Sequence, residues 1–178
     1  QQLSGNIERI ADELLDAAAS KEEIDFMADF ALPLPLNVIG EMMGVPPADR
    51  PKFRRWMGNT LADSSTRGLI SMLPKLRNAF GLNGFLKNLV ADRRRNPQAD
   101  LTTALVHARE SGDSLSEAEL VSMLFLILFA GHETTVNLIG SGMLALLQNP
   151  DQFATLKANP RLLDSAIEEL LRFTSPVQ

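Results

Sequence analysis

The stretch SEAELVSMLFLILFAGHETTVNLIGSGMLALLQ, Ser116 to Gln148, decides the fold. Ser116 followed three residues later by Glu119 forms a capping box, and Asn149-Pro150 is a stop signal. Between them lie about 33 residues, which at ~1.5 Å each make a rod of roughly 50 Å. Few compact domains need a helix that long. From Met123 to Ala130 it is apolar on every face, as expected of a helix that runs through a core. Then come Gly131, His132, Glu133, Thr134 and Thr135. A buried unpaired carboxylate costs several kcal/mol and a mid-helix Gly about 1 kcal/mol relative to Ala, so stability alone would not select this pentad. Such departures mark candidate functional sites. Ala130, Glu133, Thr134 and Asn137 stand three or four residues apart and share one helix face.

A second signal lies about 35 residues on, in Glu169-Leu170-Leu171-Arg172, followed by Phe173 and the extended Ser175-Pro176-Val177. Taken alone, Glu169–Arg172 is an ordinary surface ion pair, and Glu168–Arg172 is an equally good one. Its order and spacing after the first motif make it informative.

Together the two motifs resemble those of the cytochrome P-450 haem-thiolate monooxygenases of the bacterial soluble type. Their central helix carries Ala/Gly-Gly-x-Asp/Glu-Thr-Thr/Ser and a later helix carries Glu-x-x-Arg. The resemblance is densest from Leu101 to Val177, and the earlier chain is compatible with the family's helical middle. It implies a mainly α fold with one long central helix and little or no β, residues 1–178 being part of one domain. It further implies that Gly131 lets the helix widen beside the distal face of a haem (heme). Glu133 and Thr134 would be catalytic, serving proton delivery to oxygen, while Ala130, Gly131, Thr134 and Thr135 lie against the cofactor. Leu126, Phe129, Ala130 and Val177 would line the substrate pocket. Glu169 and Arg172 would tie their helix to a network beneath the haem. The implied reaction inserts one atom of O2 into a small organic substrate, with electrons from a ferredoxin-type partner and an NAD(P)H-dependent reductase.

The chain departs from the family in one respect: it has no Cys, whereas the family holds iron through a Cys thiolate well beyond Glu-x-x-Arg. It also starts at Gln1 and stops just after Pro176-Val177. The expectation is a central fragment that supplies the distal half only and is inactive alone. The alternative is a haem-free helical module of the same fold that binds a small apolar molecule or a partner.

Composition narrows the field. At 178 residues and 45% hydrophobic content the chain can build one core, and a net charge of -5 disfavours nucleic acid as main partner. The longest apolar run, Met123 to Gly131, is half a membrane span, and the N-terminus resembles no signal sequence, so no membrane partner and a cytoplasmic location are the default expectations.

Other stretches read as scaffold. Leu3, Ile7, Ile10, Leu14 and Leu15 form the core-facing stripe of a helix, and Ile24-Asp25-Phe26-Met27 alternates like one short strand. A buried helix from about Leu34 to Met43 stops at Gly44, and Pro46-Pro47-Ala48-Asp49 opens another carrying Phe53, Trp56, Met57 and Leu61. After the polar loop Asp63 to Gly68, a helix runs to Arg95, with Pro74 and Gly81 as candidate breaks. By the resemblance these two helices roof the substrate entrance. Met57, Leu61, Leu69 and Met72 are candidate contacts there, although core packing suits each. Arg93, Arg94 and Arg95 favour a helix C-terminus and are expected to stay solvated. Asp100 to Glu110 reads as a short helix, Ser111-Gly112-Asp113 as a turn, and His107 as a surface residue. His132 begins a zinc-protease His-Glu-x-x-His, but the fifth position is Val136, and no Glu-x-x-His pair suits a di-iron bundle. No metal ligand is therefore expected in this chain, and His132 is expected to be a helix residue packed or hydrogen-bonded away from iron.

Overall fold

The structure, a computed structural model, describes residues 2–61, 69–110 and 113–175. Its helices are α1 (Gln2–Ala19), α2 (Pro33–Met42), α3 (Arg50–Leu61), α4 (Leu69–Arg95), α5 (Leu101–His107), α6 (Glu117–Gln148), α7 (Pro150–Ala158) and α8 (Leu163–Thr174). A π-helix spans Met27–Ala31, and 3-10 turns span Pro47–Asp49 and Pro160–Leu162. The strands β1 (Arg109–Glu110) and β2 (Asp113–Ser114) pair antiparallel, Arg109 opposite Ser114. The fold is thus mainly α with very little β. The chain divides into two compact units, residues 36–129 and residues 1–35 with 130–178.

The 36–129 unit holds a dense core. Leu36, Ile39, Met43, Phe53, Leu86 and Leu124 belong to one buried cluster. The Phe85 ring lies 6.1 Å from that of Phe53 and 5.7 Å from that of Trp56, within reach of tilted aromatic packing. Met57 is fully buried here, so it is a core residue and not a substrate contact. The side chains of Leu61, Leu69 and Met72, like the loop 62–68, lie outside the described residues. α4 runs unbroken through Pro74 and Gly81. A Cβ at Gly81 would come within 2.7 Å of the Trp56 indole nitrogen, so glycine is what lets α3 and α4 approach.

Arg93 contradicts the expectation of a solvated cationic trio, being only 8% exposed. Its Nε donates to Asp100 Oδ2 at 2.5 Å and a terminal nitrogen donates to the Gly44 carbonyl at 2.7 Å. Arg94 and Arg95 are exposed as expected. Gly44 has φ +77°, and a Cβ there would collide with Asp100 Oδ2, so the left-handed turn and the ion pair both require glycine. Asp100 also caps α5 by accepting from the Thr103 amide, and the Thr102 hydroxyl donates to the Met43 carbonyl at 2.7 Å. A buried charge persists only when paired and hydrogen-bonded, and these contacts fasten the ends of α2 and α4 to the start of α5. The helix expected from Asp100 to Glu110 ends at His107, because Arg109 and Glu110 are taken by the hairpin pairing.

The other unit is thinner. In α1, Ile10 and Ala18 are buried while Leu3, Ile7 and Leu15 face solvent, so most of the expected core stripe is not covered. Ile24 to Met27 is not a strand. Asp25 Oδ1 accepts from the Ala28 amide and its carbonyl accepts from the Asp29 amide, turning the chain into the π-helix. Asn149-Pro150 ends α6 and also opens α7, with Pro at its first position.

α6 begins with the expected capping box: the Ser116 hydroxyl accepts from the Glu119 amide, and Glu119 Oε2 accepts from the Ser116 amide at 2.8 Å. It is not buried on every face, however. Leu120, Leu124, Leu128, His132 and Val136 recur every fourth residue and are buried, while Met123, Leu126, Ala130, Glu133 and Asn137 occupy the opposite face and are exposed. By length and composition α6 is also long and apolar enough to cross a bilayer, although its buried stripe is packed against protein.

Candidate active site

The pentad sits mid-helix, and α6 remains α-helical through Gly131. The Thr134 hydroxyl donates to the Ala130 carbonyl at 2.7 Å and the Thr135 hydroxyl to the Gly131 carbonyl at 2.8 Å. Such back-bonding draws carbonyls off the helix axis and bends the helix mildly, without breaking it. Both hydroxyl protons are therefore committed to the backbone, leaving oxygen lone pairs free to accept. Glu133 is exposed, Thr134 half-buried and Thr135 exposed. Ala130 and Glu133 share their exposed face with Leu126, which is 62% exposed.

Within the 36–129 unit, Leu126 and Phe129 come together with Phe80, Asn83, Ser122 and Phe125 around a groove of about 580 Å³. The rings of Phe125 and Phe129 stack at 5.0 Å. Phe80 and Asn83 were not found by sequence reading, since they lie some forty residues away on α4. No local sequence signal marked them, and only the structure shows Phe80 to be 73% exposed. Val177 lies outside the described residues.

His132 is 2% exposed. Its Nε2 lies 3.4 Å from the Leu32 carbonyl oxygen, and its Nδ1 is buried without a partner. Burial lowers its pKa, against the raising influence of the Leu32 carbonyl and of Glu133.

Glu169 and Arg172 form a two-pronged ion pair, at 2.8 Å and 2.5 Å, in preference to the Glu168 alternative. Both face solvent. The guanidinium lowers the Glu169 pKa and the carboxylate raises that of Arg172. Glu169 also borders a second groove, about 480 Å³, with Leu146, Leu156, Ala166, Leu170 and Phe173.

The residues fit one side of a haem. Ala130 and Leu126 offer a small and an apolar side chain on one exposed face of α6, as a flat macrocycle needs. No cluster of three or more metal-ligating side chains occurs among the described residues, and the chain has no Cys, so it offers no thiolate. These residues would hold one side of the group, and the chain itself would supply it no thiolate.

Residues 69–178 match the cytochrome P-450 family profile. Cytochrome P-450 107B1 of Saccharopolyspora erythraea is 49% identical over 175 residues, covering 98% of this chain and 42% of that protein. The polyketide biosynthesis cytochrome P-450 PksS of Bacillus subtilis is 47% identical, covering 99% of this chain and 43% of that protein. The solved PksS structure superposes with a TM-score of 0.89 at 45% identity over 99% of this chain and 44% of that one. Substrate-free CYP109E1 of Bacillus megaterium superposes with a TM-score of 0.92 at 33% identity, over 99% of this chain and 47% of that one. The chain thus spans somewhat under half the length of these relatives. It belongs to the cytochrome P-450 family.

Proposed function

We propose that this chain is the distal, oxygen-activating portion of a haem monooxygenase that inserts one oxygen atom of O2 into a small organic molecule. The observation that carries the reading is the exposed face of α6, which sets Leu126, Ala130 and Glu133 in line beside the half-buried Thr134. Ala130, Gly131, Thr134 and Thr135 would lie against the haem, which when bound supplies the iron that activates O2.

The chain's own residues manage protons and exclude water. Glu133, standing in solvent, takes protons from water and passes them inward by general acid catalysis. Thr134 accepts through its lone pairs while its own proton rests on the Ala130 carbonyl, so relay through it requires that 2.7 Å bond to open and the hydroxyl to turn. The groove lined by Phe80, Leu126 and Phe129 contributes apolar walls for the substrate, with Asn83 and Ser122 as its polar contacts. Electrons would come from a ferredoxin-type partner and an NAD(P)H-dependent reductase in the cytoplasm. One relative, 43% identical over 177 residues, is the vitamin D(3) 25-hydroxylase of Pseudonocardia autotrophica, and a small apolar molecule is the substrate class proposed here.

The apolar groove of Phe80, Leu126 and Phe129 would also suit a second reading, a haem-free module that binds an apolar molecule. One experiment separates the two. The haem-loaded protein carrying this segment should give a thiolate-type reduced carbon monoxide spectrum and oxidise substrate. Glu133→Gln should then lower product formed per NAD(P)H. No haem uptake, with apolar ligand binding retained, would favour the second reading.

A further inference from the structure

Along the buried stripe of α6, Leu120, Leu124, Leu128 and Val136 are aliphatic, and His132 alone can hydrogen-bond through its side chain. An aliphatic residue there would be buried equally well and would leave no acceptor without a partner, as Nδ1 is now. Stability therefore does not account for the imidazole. What the ring adds is a directed contact, Nε2 to the Leu32 carbonyl, 100 residues away in sequence. Leu32 closes the π-helix, its amide donating to the Met27 carbonyl at 2.9 Å. The same π-helix meets α6 again two turns later, where Met27 Sδ would stand 2.5 Å from a Cβ at Gly140. Two contacts eight residues apart, separated by about 80° of helix rotation, fix both the rotation and the height of α6 against this segment. A shift of one residue would turn Glu133 by about 100°.

We propose that His132 is a positioning residue. Through its Nε2–H···O bond to Leu32 it sets the rotation at which α6 presents Glu133 and Thr134 for proton delivery. The inference rests on the function proposed above. It gives a conformational reason for a buried imidazole beside a solvent-facing carboxylate.

Two measurements test it. The chain has only two histidines, and His107 is exposed, so imidazole nitrogen NMR resolves His132 directly. The expected result is a neutral ring protonated at Nε2, whose proton exchanges slowly with solvent. A ring protonated at Nδ1, or one in fast exchange, overturns the proposal. In the haem-loaded protein, His132→Phe should keep its haem but divert reducing equivalents from product to hydrogen peroxide. His132→Gln, whose amide can donate to the same carbonyl, should restore the partition. An unchanged partition in His132→Phe, no rescue by His132→Gln, or outright haem loss in His132→Phe would each overturn it, the last by showing that the ring merely holds the fold. If Glu133→Gln and Thr134→Ala raise peroxide while His132→Phe does not, only the positioning role fails. If none of the three does, the proton-delivery reading fails with it.

Discussion

Residues 36–129 and the unit made of 1–35 with 130–178 are both helical, yet they use their apolar side chains differently. In the first, Phe53, Met57, Leu82, Leu86 and Leu124 are essentially withdrawn from solvent, and even the charged pair Arg93–Asp100 is buried and hydrogen-bonded. In the second, the buried hydrophobic residues among those described are Ile10, Ala18, Ala31 and Val136, while Leu144, Leu163, Ile167 and Phe173 face outward. Packing within the unit explains the sequence of one region and leaves much of the other unexplained. The candidate chemistry, Glu133 with Thr134 and Glu169 with Arg172, falls in the region whose side chains its own core does not use.

The largest effect should come from stranding the buried charge. Asp100→Ala removes the main partner of Arg93 and the cap of α5, and should destabilise the chain by about 3–5 kcal/mol in urea unfolding. Next, Leu86→Ala should cost about 2–5 kcal/mol, whereas Leu144→Ala, at a 55% exposed position, should change stability by about 0.5 kcal/mol or less. Equal losses at the two leucines would erase the contrast between the regions.

A pH dependence sharpens it further. Burial lowers the His132 pKa below its ordinary 6.5, so the unfolded chain takes up a proton that the folded chain resists. Stability from this residue is full above about pH 6.5 and falls as pH drops below it. Thermal melts should show that decline, and His132→Phe should remove it. Smallest in the chain itself is Arg172→Ala, which cuts a solvent-facing pair and should leave the unfolding midpoint unchanged. In the whole protein carrying this segment, expressed with haem available, the same change should abolish haem incorporation, and normal haem content would remove the structural role of Glu169–Arg172.

Much of this was legible in the sequence because it is local. Ser116 with Glu119 announced the start of α6, and Asn149-Pro150 its end, since capping groups satisfy backbone donors a few residues away. The pentad was visible because acid and hydroxyl groups interrupt an apolar run. What the sequence hid depends on distant partners. Arg93 read as solvated until Asp100 and the Gly44 carbonyl closed around it, and Phe80 joined Leu126 only through the packing of α4 with α6. The alternation of Ile24 to Met27 suggested a strand, but the Asp25 side chain caps a helical turn instead. α6 looked wholly buried because periodicity cannot tell a helix covered on all sides from one covered on a single stripe.

The most direct test is the fate of reducing equivalents in the haem-loaded protein when Thr134 becomes Ala. Product yield should fall by on the order of a hundredfold while oxygen uptake continues, the balance appearing as hydrogen peroxide. Undiminished product with no additional peroxide would contradict the assignment of proton delivery to this face of α6.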